Sequence, residues 1–163
     1  MSLGKFEINQ LGIICQNNDE YYIKLDQKYK AGLKSLEGFS HLQLLWWAHL
    51  ADTRQNREKT LFGNLFKKGP AQMGVFSTRA PARPNPIMSS IIKVKSIDFN
   101  KGIIHTSFID AEENSPILDI KPYYPMERVK ECEVPGWCQD WPNWYEDTLG
   151  FNWQQVINFK QDH

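Results

Sequence analysis

The sequence predicts an all-β domain, an antiparallel barrel or sandwich of about seven strands with helical turns confined to loops and the C-terminal region. Three observations lead there. Short β-branched and aromatic segments recur as far as Lys121, and turn-forming residues rather than long helical patterns separate them, so the βαβ alternation of a parallel sheet is absent. The chain of 163 residues, 41% hydrophobic and 23% charged, is one domain's worth, long enough to bury roughly two-thirds of the surface its unfolded form exposes. Gly and Pro are not in excess, which sets disordered and collagen-like readings aside.

In order along the chain, Phe6 to Ile14 alternates apolar residues and then runs them together, and Glu20 to Leu25 is aromatic and β-branched. Both read as strands. Asp26 to Gly38 carries helix-tolerant residues with Gly38 as a stop, predicting short helical turns. Phe39 to Leu50 is a near-continuous apolar run, read as a strand buried on both faces, on which His41 and His49 share a side. Asp52 to Pro70 is polar and basic, a helical turn followed by a mobile loop. Met73 to Thr78, Ile87 to Ile97, Gly102 to Ile109 and Pro116 to Lys121 follow as strands, with Phe99 to Gly102 as a turn. The segment from Val134 to Phe159 holds four of the six tryptophans. Leaving those rings in solvent would forfeit several kcal/mol at about 25 cal/mol per Å², so the tail is expected to pack on the β domain or at a subunit interface. The expected division is a β domain over residues 1–130 and an extension over 131–163.

Several function classes lose support. The longest apolar run, Leu44 to Ala48, is far too short to cross a bilayer and no basic-then-apolar leader follows Met1, so a cytoplasmic protein without a membrane partner is expected. Three cysteines with no C-x-x-C pair read as thiols. No G-x-G-x-x-G follows a strand, and no P-loop, Ser-His-Asp or H-E-x-x-H pattern is present. His41 and His49 have no ligand spacing with Cys or carboxylates, so no metal is expected. Charge is balanced overall but segregated: Arg54 to Lys95 holds nine basic residues against one acid, and from Asp110 onward eleven acids face four bases. Such a basic stretch can attract a polyanion such as RNA, or the two faces can attract each other across the fold.

The most constrained segment is Arg79-Ala80-Pro81-Ala82-Arg83-Pro84-Asn85-Pro86-Ile87. Pro84 and Pro86 have fixed φ, and Arg83 and Asn85, each before a proline, are driven into extended conformations. Extended geometry projects Arg83 and Asn85 to a common side, a guanidinium and an amide with little ordering entropy left to lose on binding. The bland reading is a rigid connector. A second candidate is the carboxylate-rich turn Asp110-Ala111-Glu112-Glu113-Asn114-Ser115-Pro116, whose acids can accept hydrogen bonds from ribose hydroxyls or stabilise a sulfonium. An acidic turn can equally be merely solvated, and Asp119 with Lys121 can be a surface pair.

Met73-Gly74-Val75-Phe76-Ser77-Thr78-Arg79 continuing to Arg83-Pro84-Asn85-Pro86-Ile87, with Leu36-Glu37-Gly38-Phe39-Ser40-His41-Leu42 upstream and Leu118-Asp119-Ile120-Lys121-Pro122-Tyr123 downstream, closely resembles the TsaA-like family that includes TrmO. The resemblance runs from about Gly4 to Pro125 and keeps three separated motifs in the family's order. It implies a small β-barrel and a homodimer. It also implies S-adenosylmethionine as cofactor, with N-methylation of a threonylcarbamoyl-adenosine type base in tRNA. Carried over position by position, it implies cofactor contacts at His49, Leu50, Arg79, Ile91, Asp110, Ala111, Glu112 and Glu113, and an acceptor side formed by Arg83, Asn85 and Lys121. Glu113-Asn114-Ser115-Pro116 stands where family members commonly have D-G-T-P, a replacement in which Asn can hold the left-handed turn. The Trp-rich tail stands in place of the longer members' C-terminal domain. The alternatives are a non-catalytic barrel that binds S-adenosylmethionine or RNA, and an RNA-binding barrel that stacks unpaired bases on exposed aromatics.

Overall fold

The computed structural model of the chain describes residues 6–17 and 20–158. Gly4 and Phe159, the outer limits of the resemblance and of the aromatic tail, lie outside the described residues. The strands are β1 (Gly12–Asn17), β2 (Glu20–Leu25), β3 (His41–Trp47), β4 (Leu61–Gly63), β5 (Gln72–Gly74), β6 (Ile87–Asp98), β7 (Ile103–Thr106) and β8 (Pro116–Pro122). Six of them close an antiparallel barrel in the order β1-β2-β7-β6-β3-β8, while β4 and β5 pair separately. The all-β barrel expected from sequence is therefore present, closed by six strands rather than about seven, with two further strands paired outside it.

Alternation sets the barrel wall. Along β3, Leu42, Leu44 and Trp46 are buried, whereas His41, Gln43, Leu45 and Trp47 face outward and are half-covered. The apolar run is thus not buried on both faces. It ends at Trp47, so His49 sits in a following one-turn helix, His49–Ala51, and does not share a strand face with His41. Ile14, Ile23, Ile92, Ile104 and Ile117 fill the interior with the β3 leucines. The one large polar group there is satisfied, since the Trp46 indole N–H donates to Ser90 Oγ at 3.0 Å.

The first strand starts later than its apolar pattern predicts. Phe6 and Ile8 are 91% and 52% exposed, and pairing begins at Gly12, where a Cβ would lie 2.2 Å from the Lys24 carbonyl oxygen. Only glycine admits that approach. The Glu20 to Leu25 strand forms as predicted, Gln27–Leu33 forms the expected helical turns, and Gly38 ends that region at φ 93°. Two predicted strands shorten. Met73 to Thr78 leaves its strand after Gly74 for a turn at Val75–Ser77, and Gly102 to Ile109 pairs only over Ile103–Thr106. The Phe99 to Gly102 turn is built as read: Asp98 Oδ1 accepts from the Asn100 and Lys101 N–H groups, and Gly102 has φ 70°.

Part of the stretch read as a mobile loop is ordered. After a helical turn at Arg54–Arg57 comes β4, and the following residues are held by the C-terminal tail. Lys67 N–H donates to the Val156 carbonyl at 2.9 Å, and Asn158 N–H to that of Leu65 at 2.9 Å. Phe66 stacks on Trp137 at 5.0 Å and meets Trp141 edge-on at 5.1 Å, and Trp141 meets Trp153 at 5.5 Å. Tyr145 packs edge-on against His41 of β3 at 5.6 Å.

Candidate functional site

β3 runs antiparallel to both β6 and β8, so its last residue, Trp47, lies at the barrel end where β6 begins at Ile87 and β8 begins near Pro116. The proline-braced loop and the acidic turn precede those two strand starts and therefore emerge at this same end. The turn after β3 ties them together. Ala48 N–H donates to the Pro86 carbonyl at 2.9 Å, and His49 Nδ1 lies 3.2 Å from Ser115 Oγ. Ser115 is fully buried, and its N–H donates to the Glu112 carbonyl at 3.2 Å. Asn114 adopts φ 65°, the left-handed turn expected of it, and donates its N–H to the Ile14 carbonyl at 2.8 Å. The acidic turn is thus anchored to β1 on one side and to His49 on the other.

The proline loop is braced by its own arginines. Arg83 Nη1 donates to the Thr78 and Ala80 carbonyls at 3.3 and 3.4 Å. Arg79 Nη2 donates to the Ser89 carbonyl at 2.5 Å and to Ser89 Oγ at 3.3 Å. β7 pairs with β6 only from Val94 onward, so the first half of β6 has a free edge on that side. Lys93, with the same parity as Ser89, turns its carbonyl toward Thr106 Oγ1 of β7 at 2.7 Å. Arg79 supplies at Ser89 the donor that β7 does not reach, which blunts the open edge. A cavity of about 460 Å³ opens beside the loop, lined by Phe76, Arg79, Arg83, Asn85, Ile87 and Ser89 among others. Arg83 and Asn85 therefore line one space, but the chain bends at residues 83–85, with Ile87 N–H donating to the Asn85 carbonyl at 2.7 Å, rather than running extended as the sequence predicts.

The carboxylates do not line that cavity. Asp110, Glu112 and Glu113 are exposed at the same barrel end, with residues 48–49 bonded to both neighbours and standing between the two elements. Ala111 tucks against the core, and Leu50 is 68% exposed next to His49. Ile91 and Lys121 lie in one row on the outer wall, each register-paired with Gln43. One row nearer the site, Ser89 and Asp119 flank Leu45 in the same way, so Arg79 at Ser89 stands on the wall that carries Ile91 and Lys121. Lys121 Nζ donates to Asp119 Oδ2, the surface pair anticipated from sequence.

Two groups at this end were not singled out by the sequence. Asp52 accepts from the Trp47 indole at 2.9 Å and from the Arg57 guanidinium through both of its oxygens, while Arg57 lies 5.2 Å over the Trp47 ring. Hydrogen bonds from Arg57 and then Trp47 hold the Asp52 carboxyl below the usual carboxylate range. The clue was an acid five residues after a tryptophan and five before an arginine, which means nothing until a helical turn brings them together. The other group is Cys15, paired across β1 and β2 with Tyr22. Burial pushes its thiol up; the Cys15 charge and then burial push the Tyr22 hydroxyl up, and Glu113 adds a smaller push to both.

Residues 8–127 match the family described as the tRNA-methyltransferase O N-terminal domain. The chain belongs to this family. The matched region contains the whole barrel and both loops of the site. A probable S-adenosyl-L-methionine-binding protein of Pyrococcus abyssi is 34% identical over 72% of the chain and 59% of its own length. The tRNA (adenine(37)-N6)-methyltransferase of Escherichia coli is 32% identical over 75% of the chain and 52% of its own length. The crystal structure of TrmO from Pseudomonas aeruginosa superposes with a TM-score of 0.63 at 25% identity, covering 81% of this chain and 62% of that one. The chain thus spans little more than half the length of these relatives. The tail beyond residue 127 lies outside the tRNA-methyltransferase O N-terminal domain match.

Proposed function

We propose that the protein is an S-adenosylmethionine-dependent methyltransferase that N-methylates a modified adenosine of the threonylcarbamoyl type in tRNA. The observation that carries the reading is the convergence of the proline-braced loop, the His49 turn and the acidic turn at one barrel end in a member of this family. The relatives' names, a tRNA (adenine(37)-N6)-methyltransferase and a probable S-adenosyl-L-methionine-binding protein, suggest the reaction and the cofactor.

The donor set fits that cofactor. Asp110, Glu112 and Glu113 have no ion-pair partner among the described residues, so their oxygens are free to accept from ribose hydroxyls and to favour a cationic centre. His49 and Leu50 offer a half-buried imidazole and an apolar surface next to them, and Ile91 adds a second apolar contact on the wall. When bound, S-adenosylmethionine supplies an electrophilic methyl group on a sulfonium. The contribution of the chain is alignment: Arg79 holds the loop on β6, and Arg83, Asn85 and Lys121 orient the acceptor. A homodimer and a cytoplasmic location belong to the same proposal. Exposed Leu50 offers apolar surface for a second copy, and no helix among the described residues is long and apolar enough to cross a membrane. The division into a barrel over residues 1–130 and an extension over 131–163 is proposed with it.

Calorimetry with S-adenosylmethionine tests the site. Arg79→Ala and Asp110→Ala proteins are each expected to bind about ten-fold or more weakly, the loss of a charge-assisted hydrogen bond. Unchanged affinity in both removes the proposed pocket. Transfer of labelled methyl groups into tRNA tests turnover. Cofactor binding without any transfer selects the binding-only barrel, a reading favoured by the name of the Pyrococcus relative.

A further inference from the structure

Phe76 is 85% exposed, yet the backbone that presents it is among the best-anchored parts of the loop. The turn at Val75–Ser77 has a three-residue period, so buried Val75 and buried Thr78 share its inner side and Phe76 is turned outward. Val75 N–H donates to the Thr60 carbonyl at 2.8 Å, Thr78 N–H to the Val75 carbonyl at 3.1 Å, and Thr78 Oγ1 to the same carbonyl at 2.9 Å. The ring is therefore held out in the solvent on a rigid support. It lies on the lining of the 460 Å³ cavity together with Arg79, Arg83 and Asn85. Each arginine uses one terminal nitrogen to brace the loop, which leaves the rest of each guanidinium without a protein partner among the described residues.

We propose that Phe76 is a stacking platform for an unpaired base of an RNA substrate, with Arg83 meeting the phosphate next to it and Arg79 bracing the loop behind it. This rests on the reading of the barrel end as an RNA-modifying site. A flat ring beside two guanidinium groups and an amide matches a partner with a π-face and negative charge in one unit, which is a nucleotide. An apolar protein surface would leave both cations buried and unpaired. The base must be unpaired, because a duplex does not expose the face of its bases.

The test uses the full chain, without cofactor, and a single-stranded RNA of about ten nucleotides carrying 2-aminopurine, whose fluorescence is quenched on stacking. The unaltered protein is expected to quench the probe. Phe76→Ala should lose the quench and bind about 5- to 150-fold more weakly, while Phe76→Trp restores both. Circular dichroism and the melting temperature of each variant check that it is folded. Equal quenching by the folded Phe76→Ala protein overturns the inference, as does a change of that variant from dimer to monomer in sedimentation, which would make the ring a subunit contact. Cofactor binding by the unaltered protein is read separately. If it binds cofactor but the quench ignores Phe76, the platform fails and the methyltransferase reading stands. If it binds none while the quench depends on Phe76, the reverse holds.

Discussion

Asp52 fixes the geometry of the turn that carries His49 and Leu50. Its carboxylate joins the end of β3, through the Trp47 indole, to the helical turn at Arg54–Arg57, through Arg57. Because those hydrogen bonds depress its pKa below the ordinary 3.8, the charged form stabilises the fold. That stabilisation is fully present above about pH 4 and is lost as pH falls through the lower folded-state value. Asp52→Asn is expected to destabilise by under about 1 kcal/mol at neutral pH, since both partners touch solvent. In thermal denaturation between about pH 2 and pH 7, the gap between the two proteins should narrow on the acid side. A gap independent of pH would show that the Asp52 charge contributes nothing. At this scale the arginines and prolines of the loop were legible, because proline's torsional limits act locally, but the bend at residues 83–85 was not. Asp52 and Ser115 were not, because their partners are set by the turn and by His49.

Among the elements, the C-terminal tail works as a strap. Trp141 touches Phe66, Trp137 and Trp153, so it is the hub through which the tail grips the segment between β4 and β5. Trp141→Ala is expected to cost about 2 kcal/mol in chemical denaturation, less than a fully buried tryptophan because the ring is half-buried. Limited trypsin digestion should then cut at Lys67 and Lys68 sooner, while the barrel resists. Lys67 Nζ now donates to the Gln154 carbonyl at 2.8 Å, an anchor that goes with the strap. Unchanged cleavage would mean that the aromatic cluster does not hold this segment. Composition argued that the tail's rings be covered, and Trp137, Trp141 and Trp153 are half-buried while Trp144 stays 66% exposed; Phe66 as their partner was invisible, being far away along the chain and within a stretch that reads as polar loop. The same limit shortened the strands: alternation marks where pairing is possible, and β7 stops at Thr106, where β2 runs out, although β6 continues unpaired on that side to Ile87.

For the whole molecule, the segregated charges meet at one point only among the described ion pairs, Lys68 with Asp140 at 3.2 Å, both largely exposed. Arg54 and Arg57 pair locally with Glu58 and Asp52, so six of the nine basic residues from Arg54 to Lys95 stand in no described ion pair and are left to attract a polyanion. Binding of a single-stranded RNA is expected to weaken roughly 20- to 50-fold between about 50 and 200 mM salt if three or four phosphates are engaged. A flat affinity over that range would count against a phosphate-tracking role. The sequence by itself determined the all-β class, the family motifs and the stiffness of the proline loop, since these follow from local periodicity and from residue-intrinsic torsional limits. Tertiary structure decided the rest. Barrel closure through antiparallel pairing brought Ile87, Trp47 and Pro116 to one end, and so placed the arginine loop and the acidic turn either side of His49. It also kept the carboxylates out of the arginine-lined cavity, because the turn after β3 stands between the two.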